Sequence, residues 1–213
     1  MSKTSIFEER LMKILVALKN CLKAPIIALL AIRGFSAERI EGLIAIHTDV
    51  VRLTGLQQDA YNVQFKTTEE LTKVFDDVKY NYRKFKKLGQ VALADEPTTL
   101  KALQLNVRTK TGLPGFMAQV KRFYVPGAQD GNLSASLLKT GLTREEMEAE
   151  LPKLEQMEQL NIRQEYEKKV AQDATRRRDE RMEELEKAMS ELHKVAIVAL
   201  ADQPDFLGLL DLN

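Results

Sequence analysis

Val91-Ala92-Leu93-Ala94-Asp95-Glu96-Pro97 returns 107 residues later as Val198-Ala199-Leu200-Ala201-Asp202-Gln203-Pro204. The echo runs on, with Leu100, Leu103, Leu105 and Asn106 returning as Leu207, Leu210, Leu212 and Asn213. Working upstream in the same register, Gly34-Phe35-Ser36-Ala37-Glu38 meets Gly141-Leu142-Thr143-Arg144-Glu145 without a gap. Over residues 28–106 about a quarter of positions are identical, and most of the others that pair are apolar in both copies. A fixed period with matching apolar positions marks an internal duplication. Before residue 28 the two copies diverge.

The grammar of each copy is helical. A short helix is expected near Ile26–Arg33 and Leu133–Thr140, closed by Gly34 or Gly141, as glycine commonly closes a helix. Ser36 or Thr143 then caps a second helix, and Thr143 with Glu146 has the spacing of a capping box. Pro152 is expected to kink the second copy. A tight turn is placed near Lys66–Thr68 and Asp173–Thr175, where Thr67 and Glu70 have capping-box spacing again. The final helix carries an apolar seam at Phe75, Val78, Tyr82, Phe85, Gly89 and Ala92. The same steps of three and four recur at Met182, Leu185, Met189, Leu192, Ala196 and Ala199. That spacing lines one helix face. The helix stops before Pro97 or Pro204, and the leucines beyond fold back as an apolar tail.

Each copy therefore reads as an antiparallel helical hairpin with one apolar stripe that it cannot bury alone. Two copies bury both stripes. The expected fold is all-α: internally duplicated hairpins in a pseudo-two-fold, four-helix up-and-down bundle with short accessory helices. The expected domain is single, residues 1–213, with repeats 1–106 and 107–213. Residues 107–132 serve as connector, and Phe116–Tyr124 forms a short helix over one end.

Composition agrees. The 213 residues hold 30% charged side chains and 6% aromatics, with 32 Lys and Arg against 31 Asp and Glu. That near balance excludes a whole-surface attraction to polyanions. A lone cysteine, Cys21, excludes an intramolecular disulfide and points to a reducing, cytoplasmic setting. Lys13, Lys19 and Lys23 interrupt the apolar run Leu11–Ile32, so no transmembrane segment is expected; the run reads as an amphipathic helix broken near Pro25.

The element Ala196, Ala199, Leu200, Asp202, Pro204, Leu207, closing a helix that opens with Gly141-Leu142-Thr143-Arg144-Glu145-Glu146, resembles a bacterial family of tandem helical-hairpin repeats. The first copy departs from the pattern with Gly89 at the first alanine position. The resemblance implies an all-helical bundle and carries no activity, cofactor or site residue to transfer.

Catalytic and metal chemistry find little footing. His47 and His193 lack the Glu-x-x-His spacing of bundle metal sites. Glu38, Glu41, Glu145 and Glu148 recur in both copies, where they read as favourable charge in a first helical turn. Cys21 reads as a buried thiol rather than a nucleophile. No catalytic, cofactor-binding or metal-ligating residue is expected. One run points to a contact surface: Arg83, Lys84, Lys86 and Lys87, with Tyr80 and Tyr82, mixes cations with aromatics as single-strand binders do. The expected function is a non-enzymatic, intracellular interaction or scaffold protein, with a protein partner or self-association. The alternative is nucleic-acid association through Arg83–Lys87.

Overall fold

The structure is a computed structural model that describes the backbone of residues 3–210. Eight helices follow in order: α1 Lys3–Cys21, α2 Ala24–Ile32, α3 Ala37–Ala92, α4 Pro97–Ala102, α5 Leu113–Gln129, α6 Gly131–Leu138, α7 Arg144–Ala199 and α8 Pro204–Leu210. The fold is all-helical, with no strand among the described residues. The helices α2, α3 and α4 recur as α6, α7 and α8, each starting 107 residues later. The sequence echo at Leu212 and Asn213 lies outside the described residues.

The local signals behave as their chemistry requires. Gly34 and Gly141 take positive φ of 87° and 76°, the left-handed conformation that closes a helix. Thr143 accepts from the Glu146 amide at 3.2 Å, and Glu146 accepts from the Thr143 amide at 3.0 Å, completing the capping box. Ser36 accepts from the Arg39 amide at 3.3 Å. Pro97 and Pro204 each open a new helix, where the missing N–H costs nothing. The leucines after Pro97 are thus carried on α4 and just beyond it, with Leu103 and Leu105 buried.

The expected turns are absent. Residues 66–68 and 173–175 lie inside two uninterrupted helices of 56 residues each. The copies are therefore long helices flanked by short ones, not hairpins. The Thr68 hydroxyl donates to the Gln64 carbonyl at 2.8 Å, and the Thr175 hydroxyl to the Ala171 carbonyl at 2.9 Å. A threonine bonded back to i−4 sits inside a helix at small cost. Thr67 is buried rather than capping a helix start. Pro152 lies in the third turn of α7, and the helix continues through it.

The chain forms two compact units that do not follow the sequence halves. The first draws on residues up to Asn62 and those from Lys168 onward; the second is Val63–Glu167. In the first, α1 packs on α2 and α8. Leu18, Cys21, Ile26, Leu30 and Ile40 meet the second-copy seam residues Leu185, Leu192 and Ala196 in one core. The α1–α2 pair bends by 85° at Leu22–Lys23, just ahead of Pro25. No single described helix is long and apolar enough to cross a membrane; by length and composition alone that bent pair passes the same test.

In the second unit the core gathers Val78, Tyr82, Phe85 and Leu93 of the first copy with Leu137, Leu142, Met147, Leu154 and Met157 of the second. Here α5 is a principal core helix, not a cover over one end. Its Phe116, Val120, Phe123 and Tyr124 have no exposed surface. Tyr82 stacks edge-on against Phe116 and Tyr124, with centroids 5.8 and 6.1 Å apart. Burying one such side chain contributes about 1.5–3 kcal/mol. The small seam residue Gly89 lets the Phe123 ring approach so closely that a Cβ there would meet it at 3.0 Å.

Candidate functional site

The basic run lies on the last third of α3, in the second unit. Core packing turns Tyr82 and Phe85 inward, which leaves Arg83, Lys84 and Lys87 exposed. Tyr80 is 71% exposed on the same helix. Lys86 departs from this group. It is half-buried, its ammonium donates to the Val107 carbonyl, and it lies 5.9 Å from the Tyr82 ring centroid. Burial pulls its pKa below the usual lysine range. Lys86 is thus a structural strap rather than a free cation.

The strap has further ties. Gln90 donates to the Leu105 carbonyl at 2.6 Å. Gln119 of α5 is buried; its amide donates to the Gln104 and Arg108 carbonyls and its oxygen accepts from the Lys110 amide. These bonds hold residues 104–110 between α3 and α5 and fix exposed Arg108 beside them. Arg122 is exposed one turn beyond Gln119. Residues 79–122 hold ten Lys and Arg against two acids, a concentration that whole-chain charge balance conceals.

Sequence reasoning missed a second cluster in the same unit. Glu150, 4% exposed, accepts from Asn81 Nδ2 at 2.8 Å and from Lys153 Nζ at 2.8 Å. Lys153 also reaches Asp77 at 2.7 Å. Burial opposes the Lys153 charge, but its bonds to Asp77 and Glu150 outweigh this and hold its pKa above the usual range. The second carboxylate oxygen of Glu150 and the hydroxyls of Tyr82 and Tyr124 are buried without a protein partner. Burial pushes the Tyr82 phenol up to about 12. Burial first, then the charge of Glu150, pushes Tyr124 higher still. The copy comparison held the signal. At the matching positions of the other copy, Asn81 is Ala188, Glu150 is Leu43 and Lys153 is Ile46.

The structure places the other candidates by burial and bonding. Cys21 is fully buried, and burial pushes its thiol up to about 11, far from a nucleophile. His47 is buried with its Nε2 3.0 Å from the Leu11 carbonyl, tying α3 to α1. Its ring borders an apolar groove of about 520 Å³ between those helices, with Phe7, Met12, Leu15 and Val51. His193 is half-buried, and no group of three metal-ligating side chains occurs among the described residues. Glu38, Glu41, Glu145 and Glu148 are all exposed at helix starts. Its own backbone amide, then Thr143, lower the Glu145 pKa, as at a helix N-terminus.

No protein-family model, curated protein or solved structure matches this chain.

Proposed function

We propose that the protein is a non-enzymatic, cytoplasmic interaction or scaffold protein, built as an internal duplication of one long helix with its short flanking helices, of pseudo-two-fold character. One observation carries the interaction reading. Ile162 and Tyr166, one turn apart on α7, are 59% and 67% exposed. Side chains of that size gain from cover, and a helical partner or a second copy supplies it. The duplication is supported by the 107-residue spacing of helix starts, and the cytoplasmic setting by the lone thiol of Cys21.

The test is sedimentation of the wild type and of Ile162→Glu/Tyr166→Glu, with circular dichroism as a check on folding. A concentration-dependent assembly that the paired substitution abolishes is expected. A wild type that stays monomeric, and whose captured proteins are unchanged by the substitution, overturns the reading.

A second reading is favoured by the basic stretch of α3. Every arginine of α7 is paired with an acid. Arg83, Lys84, Lys87, Arg108 and Arg122 make no such pair among the described residues. Unpaired cations gathered within residues 83–122 suit a polyanion, nucleic acid first.

A further inference from the structure

We infer that the exposed face of α3 centred on Tyr80, with Arg83, Lys84 and Lys87, binds single-stranded nucleic acid by base stacking and phosphate pairing. The inference rests on the second reading above and specifies its ligand.

Helix geometry orders the face. At about 100° per residue, Lys86, Gln90, Arg83, Lys87, Tyr80 and Lys84 follow one another around a roughly 160° arc. Lys86 and Gln90 form its inner edge, where they hold residues 105 and 107. Tyr80 sits in its outer half, with Arg83 and Lys87 on one side and Lys84 on the other. A phenol ring 71% exposed amid three unpaired cations offers a π-face to a base and positive charge to the phosphates beside it. Nothing in the folding of the helix requires this. The same arc of α7 reads Lys187, Ser190, Glu191 and Lys194, and Glu191 is paired with Arg39. The cation–aromatic pattern belongs to one copy only.

The surroundings favour a single strand over a duplex. Duplex readers insert a helix or ribbon into the major groove. Here the segment 104–110 is strapped along one edge of the arc, so α3 is flanked by loop rather than projecting as a free helix. A splayed base stacks on the exposed Tyr80 ring, and Arg83, Lys84 and Lys87 follow the backbone. An acidic protein partner would use the charges but not the aromatic ring between them.

The experiment is fluorescence anisotropy of labelled oligo(dT), and of a mixed-sequence duplex, against the full chain over a range of salt. Three cations at about 0.7 per phosphate predict a slope of log K against log salt of about −2 for the single strand. Tyr80→Ala should weaken oligo(dT) roughly tenfold, with Tyr80→Phe retaining binding, since the ring face carries the stacking. Arg83→Ala/Lys87→Ala should flatten the salt slope, and Arg176→Ala/Arg177→Ala on α7 should leave it unchanged. Equal binding of duplex and single strand with a silent Tyr80→Ala would overturn the single-strand assignment while leaving the basic-face reading intact. No binding of either oligonucleotide at low salt would overturn both.

Discussion

Gln57 donates to the Thr175 hydroxyl at 2.9 Å, and 107 residues on, Gln164 donates to the Thr68 hydroxyl at 3.0 Å. The two bonds use the same two residue types with the copies exchanged, one bond in each unit. Between residues 54 and 86 only three positions are identical to their counterparts, and two of them are Gln57 and Thr68. Each threonine spends its proton on the i−4 carbonyl and its lone pair on the facing glutamine. Two hydroxyls within the stretches expected to turn thus join α3 to α7 instead.

Thr68→Val keeps the β-branched shape and removes the acceptor. It should cost about 1 kcal/mol in urea unfolding. Gln164→Ala combined with Thr68→Val should cost less than the sum of the single changes by about 0.5–1 kcal/mol. Strict additivity would mean that the bond contributes nothing.

The Asn81–Glu150–Lys153 cluster should be dispensable as a whole and costly to break in part. Lys153→Met leaves Glu150, 5% exposed at its side chain, with Asn81 as its remaining partner. Lys153 is itself 34% exposed, so the loss is discounted to about 1–2 kcal/mol. The triple change Asn81→Ala/Glu150→Leu/Lys153→Ile installs the residues of the other copy and should be neutral or stabilising. Thermal melts of both variants settle the order.

Two helical glycines should respond in opposite directions to alanine. Around Gly42 nothing stands within 4 Å of an added Cβ, so Gly42→Ala should stabilise by about 0.5–1 kcal/mol. At Gly89 the same methyl meets the Phe123 ring at 3.0 Å and Leu105 at 3.2 Å. There the helix-propensity gain is outweighed by overpacking, and a net loss of about 1 kcal/mol is expected. Equal melting shifts for the two variants would contradict the close approach.

Stability should fall in acid. Burial works to raise the Glu167 pKa, but Thr67 and Arg163 outweigh it and hold the carboxyl below its ordinary range. Asp173 is held low by its bond to Arg176, with Arg177 adding to the effect. A depressed folded pKa contributes stability that is complete above the unfolded value and is lost as pH falls through the folded one. The urea midpoint should therefore hold from neutrality down to the ordinary carboxylate range and drop below it. In Glu167→Gln/Asp173→Asn that drop should be smaller.

The apolar seams were legible because their steps of three and four are set by helix periodicity alone, and both seams are buried except at half-buried Phe75, Ala92 and Ala199. The positive-φ Gly34 and Gly141 and the Thr143–Glu146 box were legible because each acts within one turn of chain. The false turn at 66–68 arises from the Thr67–Glu70 capping-box spacing, whose threonine is instead buried inside α3, while Thr68 and Thr175 bond across to the other long helix. Glutamine partners 96 and 118 residues away lie beyond any local pattern. In the basic run, Arg83, Lys84 and Lys87 were correctly read as surface. Lys86 was not separable from them, since its capture depends on where Val107 returns. The Glu150 cluster was written in the mismatch with Leu43 and was read past.

What the sequence determined by itself is the helical character, the 107-residue spacing of the echoed motifs and the apolar stripe of each long helix, because periodicity and caps are properties of neighbouring residues. Tertiary structure alone decided that the two longest helices run unbroken and that α5 supplies core aromatics. It also decided that Lys86 is a strap and Tyr80 a surface ring. Each of those outcomes turns on which distant group satisfies a hydroxyl, an ammonium or an apolar face, and only the folded chain brings those groups within bonding distance.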